Sequence, residues 1–165
     1  MTARSAIVLA GLTGLALWAT GCGGTPACGP SHGVVQQVID GDTIVMADGT
    51  KIRYLLINAQ EITKGHNDCY GQEARAYNVD LVQGKDVQLT YDPKQCKDRF
   101  GRTLAYIGVG GQSVNALEVQ RGYACVDYIP PAGADKVASY QTMQSTAQQQ
   151  QRGMWGACTV GPCFQ

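Results

Sequence analysis

Asp40, Asp42, Arg53, Asn58 and Glu61 crowd into one short stretch, VIDGDTIVMADGTKIRYLLINAQE, from Val38 to Glu61. Oxygen donors are what a hard divalent cation prefers, and a planar guanidinium matches a phosphate through paired hydrogen bonds. A carboxylate beside them is able to take a proton from water. The combination reads as a place for a cation and a phosphate. Each residue also has a plainer reading. Asp-Gly pairs form turns in any β protein. Arg53 could pair with Glu61 for structural reasons, Arg102 could be surface charge, and Glu73 could simply start a helix.

These residues need elements to hold them. Val34 to Val38 and Thr43 to Met46 are β-branched, apolar runs of strand length, with Gly41 allowing a bend between them. Asp48-Gly49 is a hairpin signal, since tight hairpin turns require positive φ. Lys51 to Ile57 reads as a third strand, with Arg53, Leu55 and Ile57 on one face and Ile52, Tyr54 and Leu56 on the other. Tyr70 to Gln83 reads as a helix with Ala74, Tyr77, Leu81 and Val82 on its apolar side. Asp86 to Tyr91 and Thr103 to Val109 are strands, separated by a loop carrying Lys94, Lys97, Arg99 and Arg102. Ser113 caps a short helix that ends at Gly122. Tyr123 to Tyr128 is extended. A last helix runs from about Asp135 to Arg152, with Val137, Tyr140, Met143, Ala147 and Gln151 along one stripe. The order predicts an α+β fold, mainly β: a five-stranded barrel of the OB-fold arrangement with about three packed helices.

The 165 residues carry a formal net charge of zero. That excludes high-affinity wrapping of nucleic acid, which depends on many phosphate contacts, and leaves room for a local phosphate cleft. Residues 1–22 read as an export signal: Arg4 precedes an apolar run from Ala6 to Trp18 that is short for a membrane span. The run ends Ala19-Thr20-Gly21-Cys22, which resembles a bacterial lipoprotein signal with Cys22 as the lipidated residue. An ordinary secretory peptide is the alternative. Residues 23–33 read as a flexible tether, 34–157 as the folded domain and 158–165 as a cysteine-containing tail. With Cys22 set aside, Cys28, Cys69, Cys96, Cys125, Cys158 and Cys163 remain. An even number in an exported chain predicts disulfides, although six cysteines allow 15 pairings. The expected pairs are Cys69 with Cys96, Cys125 with Cys158, and Cys28 with Cys163. No C-x-x-C pattern or histidine pair supports a zinc site, and no internal repeat or second domain is visible.

Five motifs occur in order: Asp40-Gly41-Asp42-Thr43; Arg53 to Glu61 (RYLLINAQE); Tyr70-Gly71-Gln72-Glu73-Ala74; Asp98 to Ile107 (DRFGRTLAYI); and Val114-Asn115 with Gly122. Together they closely resemble the staphylococcal nuclease-like (thermonuclease) family over about residues 34–156. The resemblance implies a Ca2+-dependent phosphodiesterase that cuts DNA and RNA with little sequence preference. It implies that Asp42, Asn58 and the Ala59 carbonyl hold the metal. Glu61 would activate water, while Arg53 and Arg102 would hold the phosphate. Arg99, Phe100 and Tyr128 would contact the nucleotide.

Three positions depart from the family pattern, and at one of them, Ala59 in place of a threonine, the metal-binding carbonyl is kept. Asn58 stands where a second metal-binding aspartate is usual, so weaker calcium binding is expected. Gln60 replaces a proline before Glu61, which loosens the loop that aims it. The implied partners are DNA or RNA, single strands preferred, and a membrane reached through the lipid; the implied state is a monomer in the cell envelope. The competing readings are an OB-fold that binds nucleic acid without cleaving it, and an envelope lipoprotein using the barrel as an interaction scaffold.

Overall fold

The computed structural model describes residues 28–63, 65–159 and 163. The expected signal segment with Cys22, the first part of the tether and Lys64 lie outside these described residues. The elements in chain order are β1 (His32–Val38), β2 (Thr43–Met46), β3 (Lys51–Tyr54), β4 (Ile57–Ala59), α1 (Gly71–Val82), β5 (Asp86–Thr90) and β6 (Thr103–Val109). There follow β7 (Gln112–Ser113), α2 (Val114–Arg121), β8 (Ala124–Val126), α3 (Val137–Gln149) and the one-turn α4 (Met154–Ala157).

Five strands close on themselves. β1 pairs antiparallel with β2 and β5, β2 with β3, and β5 with β6, while β3 and β6 complete the circuit as a parallel seam. This is the mainly-β, OB-type barrel expected, with α1, α2 and α3 packed on it. Val35, Val38, Ile44, Ile52, Val87 and Ile107 fill its interior. Val35 and Val38 are three residues apart, so a regular strand would send one of them outward. A register shift between Val35 and Gln37 corrects this, as a bulge re-aims the residues beyond it.

Gly41 has a reason other than bending freedom. A Cβ at Gly41 would sit 2.7 Å from the Ala59 side chain and 2.8 Å from that of Ala74. The turn is thus clamped between β4 and α1. Asn78, buried on α1, donates to the Asp40 carbonyl at 2.9 Å and accepts from the Tyr54 hydroxyl at 2.8 Å. The buried face of α1 is Gly71, Ala74, Asn78 and Val82, not the expected stripe through Tyr77 and Leu81. Ser113 caps α2 as expected, accepting from the Ala116 amide. α3 ends at Gln149, so Gln151 lies beyond its stripe.

The expected third strand, Lys51 to Ile57, is two strands. The chain kinks at Leu56, which takes φ 67°, and Ile57–Ala59 leaves the barrel to pair with β8. Every residue from Ile52 to Ile57 is buried, so face alternation carries no signal there. Arg53 holds the kink, because its Nη1 donates to the carbonyls of both Tyr54 and Ile57.

All six described cysteines are paired, and all three expected pairings are corrected: the bonds are Cys28–Cys96, Cys69–Cys158 and Cys125–Cys163. The N-terminal segment runs beside β5, where Leu89 donates to Ser31 and Tyr91 to Pro30, and this delivers Cys28 to the loop after β5. Among the described residues, Cys28 is already tied to the domain, and His32 and Gly33 lie in β1. Met154 is buried beside Gln60, and this brings Cys158 to Cys69.

Glu118 is buried at 0 % exposure on α2, and neither carboxyl oxygen meets a hydrogen-bond partner among the described residues. Burial, reinforced by the charge of Asp42, holds its carboxyl protonated well above the usual glutamate range. Unfolded chains release this proton near pH ~4.3, whereas the folded protein keeps it. Rising pH therefore favours the unfolded state. Relative to Glu118→Gln, the native protein should lose up to about 1.4 kcal/mol of stability per pH unit above that point. Urea denaturation of both proteins at pH 5, 6, 7 and 8 measures the gap, and a gap independent of pH would refute the buried-proton assignment.

Candidate functional site

The β1–β2 turn presents two carboxylates. Asp40 Oδ1 accepts the Asp42 amide at 2.9 Å, folding the turn on itself. Asp42 Oδ1 accepts from the Thr43 hydroxyl at 2.9 Å, and Oδ2 from the Ala59 amide at 2.6 Å. β2–β3 pairing sets Thr43 against Arg53, which brings Arg53 Nε within 3.1 Å of Asp42 Oδ1. Arg53 Nη2 donates to Asn58 Oδ1 at 2.8 Å and lies 3.9 Å from Asp127 Oδ2. Asp42, Arg53, Asn58 and Ala59 therefore form one connected cluster. Asp40 is pushed up to about 7, first by burial and then by the neighbouring charge of Asp42.

Glu61 stands on the exposed loop after β4. Its Oε1 accepts from the Ile62 amide, the Thr63 amide at 2.7 Å and the Thr63 hydroxyl at 2.6 Å. Partial burial pushes its carboxyl up, but these bonds outweigh it and hold the group below the usual glutamate range. Glu61 and Arg53 do not pair; the Glu61 amide instead donates to Asp68 Oδ2 and its carbonyl accepts the Asp68 amide. Cys69 then clamps the loop to Cys158.

Arg102 enters from the far side of the parallel seam, one residue before β6. Its Nε donates to Asp98 Oδ2 at 2.6 Å, and Asp98 Oδ1 accepts the Phe100 and Arg102 amides. Asp98 fixes the whole turn. Phe100 is 69 % exposed, with the Arg99 guanidinium 4.7 Å and the Arg102 guanidinium 5.6 Å from its ring centre.

A cleft of about 630 Å³ gathers Asp40, Asp42, Arg53, Asn58, Ala59, Glu61, Arg99, Phe100 and Arg102. Tyr128 is not among its lining residues; its exposed neighbour Ile129 is. Sequence reasoning missed Asp127, Asp98 and Cys163, which also line the cleft. Asp98 was open to discovery, since an Asp three residues ahead of a glycine, as in Asp98-Arg99-Phe100-Gly101, is a turn-forming pattern. Asp127 and Cys163 gave no local signal, because pairing between distant segments brings them in.

The donors fit a hard divalent cation in kind: all are carboxylate, amide or carbonyl oxygen, with no thiolate or imidazole. Burial first, and the adjacent Asp42 charge second, raise the Asp40 carboxyl; a cation beside the pair would offset the second of these. In number of charges the set is lean. Among the described residues no group of three or more His, Cys, Asp or Glu side chains is placed to hold a metal, because Asn58 contributes a neutral oxygen.

The family described as Staphylococcal nuclease homologue matches residues 51–157. The chain is 34 % identical over 127 residues to Endonuclease YncB of Bacillus subtilis (strain 168), covering 73 % of this chain and 60 % of that protein. It is 33 % identical to SPbeta prophage-derived endonuclease YokF of the same organism over 127 residues, 73 % of this chain and 43 % of that one. It is 32 % identical over 127 residues to Thermonuclease of Staphylococcus intermedius, covering 74 % of each. The chain thus spans less than two thirds of the two Bacillus relatives.

Arg53 is the buried charge on which the cluster rests. Replacing it with methionine leaves Asp42 unpaired and strips two kink carbonyls of their donor, so stability should fall by about 3–5 kcal/mol. Arg53→Lys should not restore it, since one ammonium cannot span the same acceptors. Chemical denaturation reads both variants, and full stability in Arg53→Lys would contradict the fork geometry.

Proposed function

The chain belongs to the staphylococcal nuclease homologue family, and from that premise we propose that it is a nuclease hydrolysing phosphodiester bonds of DNA or RNA with little sequence preference. The observation that carries this reading is the meeting of two guanidinium groups, Arg53 and Arg102, with the Asp40–Asp42 carboxylates in one cleft. Binding alone would not require that combination.

The two arginines have different duties. Arg53 commits most of its donors to Asp42, Asn58 and the kink carbonyls, so it acts chiefly as a fixed charge. Arg102 commits Nε to Asp98, and its Nη groups have no hydrogen-bond partner among the described residues, although the guanidinium lies over Phe100. Those open donors grip the phosphate and stabilise charge growing on its oxygens. Glu61, kept ionised, accepts a proton from the attacking water; its lowered pKa makes it a modest base. Phe100, exposed and flanked by arginines, stacks an unpaired base, which favours single strands. A Ca2+ ion held by Asp42, Asn58 and the Ala59 carbonyl would supply further positive charge at the phosphate.

A second reading, binding without cleavage, has two observations in its favour: Asn58 removes a metal charge, and Glu61 Oε1 is saturated with donors. The protein acts outside the cytoplasm, as a monomer lipidated at Cys22; its three disulfides suit an oxidising compartment.

Digestion of denatured DNA in millimolar Ca2+ and in chelator tests the proposal. Cleavage should need the cation, and Arg102→Ala should lower kcat roughly 100- to 1,000-fold, comparable to losing an oxyanion-hole donor. Asn58→Asp should reduce the Ca2+ needed for half-maximal rate by on the order of tenfold. Wild type and Asn58→Asp both silent, with oligonucleotide still bound, would establish the binding-only reading instead.

A further inference from the structure

A second aromatic and cationic surface lies away from the cleft. Tyr70 precedes α1, Tyr77 is two helical turns further along, and Tyr123 follows α2. The Tyr123 ring stacks with that of Tyr77 at 4.3 Å and that of Tyr70 at 5.3 Å between centres. All three remain half-buried rather than enclosed. Arg121 and Arg152, both exposed, stand beside them, and together with Gly153 these residues line a recess of about 380 Å³. The Met154 amide donates to the Gly122 carbonyl at 2.9 Å, which fixes the two arginine-bearing segments side by side.

No carboxylate lines this recess, and neither arginine joins a salt bridge among the described residues. Arg152 gives one N–H to the Gln120 carbonyl at 3.0 Å, and Arg121, in the last turn of α2 where a cation complements the helix dipole, also hydrogen-bonds the Tyr77 side chain. Those roles use a fraction of the donors and do not account for three stacked rings on a wet surface. Stacked aromatic faces beside guanidinium groups are what an unpaired strand of bases and phosphates binds.

We propose that Tyr70, Tyr77, Tyr123, Arg121 and Arg152 form an accessory site for single-stranded nucleic acid, holding a stretch of the strand beyond the part in the cleft. The inference rests on the nuclease reading for the identity of its ligand. Continuity supports it: Asp68 lines the cleft and Tyr70 lines the recess, two residues apart on the loop clamped at Cys69. A strand leaving the cleft over that loop arrives at the tyrosines. Long substrates therefore gain affinity that short ones lack.

The test measures fluorescence polarisation of labelled oligothymidylates of about 4 and about 16 nucleotides, in chelator, with the full chain and with Arg121→Gln/Arg152→Gln. Both arginines are exposed, and thermal melts confirm that the variant is folded. The double variant should bind the long oligomer roughly 20-fold more weakly at ~0.1 M salt, and its salt slope should fall by about 1.4, as for two lost phosphate contacts on a single strand. Binding of the short oligomer should be unchanged. Equal loss at both lengths, or no loss, would overturn the accessory site. A variant that keeps its oligonucleotide affinity and loses affinity for phosphatidylglycerol vesicles would overturn it in favour of a membrane contact. Wild type binding neither oligomer would overturn the nucleic-acid reading of the cleft together with it.

Discussion

The Arg53 guanidinium is the constraint on which this protein's architecture turns. A buried cation is tolerated only when its donors are met, and here the acceptors come from three parts of the fold: the β1–β2 turn, β3 and β4. Asp42 is on the β1–β2 turn, Tyr54 and Ile57 flank the Leu56 kink, and Asn58 lies in β4. Satisfying one side chain thus fixes the turn, the end of the barrel strand and the departure of the chain toward β8. The same charge that makes the fold specific also sits at the floor of the cleft. Structure and chemistry are not separable at this residue.

Barrel closure supplies the second half of the site. The parallel seam sets Ile52 against Thr103 and Arg53 against Leu104. Arg102 immediately precedes that register, so the two arginines reach one cleft although 49 positions separate them in the chain. Closing the ring with a parallel pair, rather than another hairpin, is what brings the start of β6 beside the end of β3. Asp98 then orients Arg102 from within its own turn, independently of the Arg53 cluster.

Much of this was legible from residue types alone. Strands β2 and β6, the Ser113 cap and the Gly122 stop follow from local propensity, and local physics decides them. The clustering of Asp42, Arg53 and Asn58 was readable because hairpin geometry relates neighbours in the sequence. The Leu56 kink was not. Its run is apolar throughout, and a leucine at positive φ has no local signature. Asn78 and Glu118 were hidden for a related reason: each is a polar residue on the buried face of a helix, where pattern reading assigns polar residues to solvent. The disulfides failed differently, since pairing depends on which distant segments the closed barrel sets side by side.

Those disulfides impose a timetable. Cys28 and Cys96 can meet once the strands up to β5 have emerged, but Cys69 and Cys125 find their partners only in Cys158 and Cys163. In a chain that emerges from its N-terminus, Cys69 is the next cysteine after Cys28, and it is not the partner of Cys28. A Cys28–Cys69 bond formed early would have to be undone by thiol exchange once the C-terminal segment has arrived. The loop that carries Glu61 acquires its clamp only once Cys158 is in place, so the cleft is completed by the C-terminal segment.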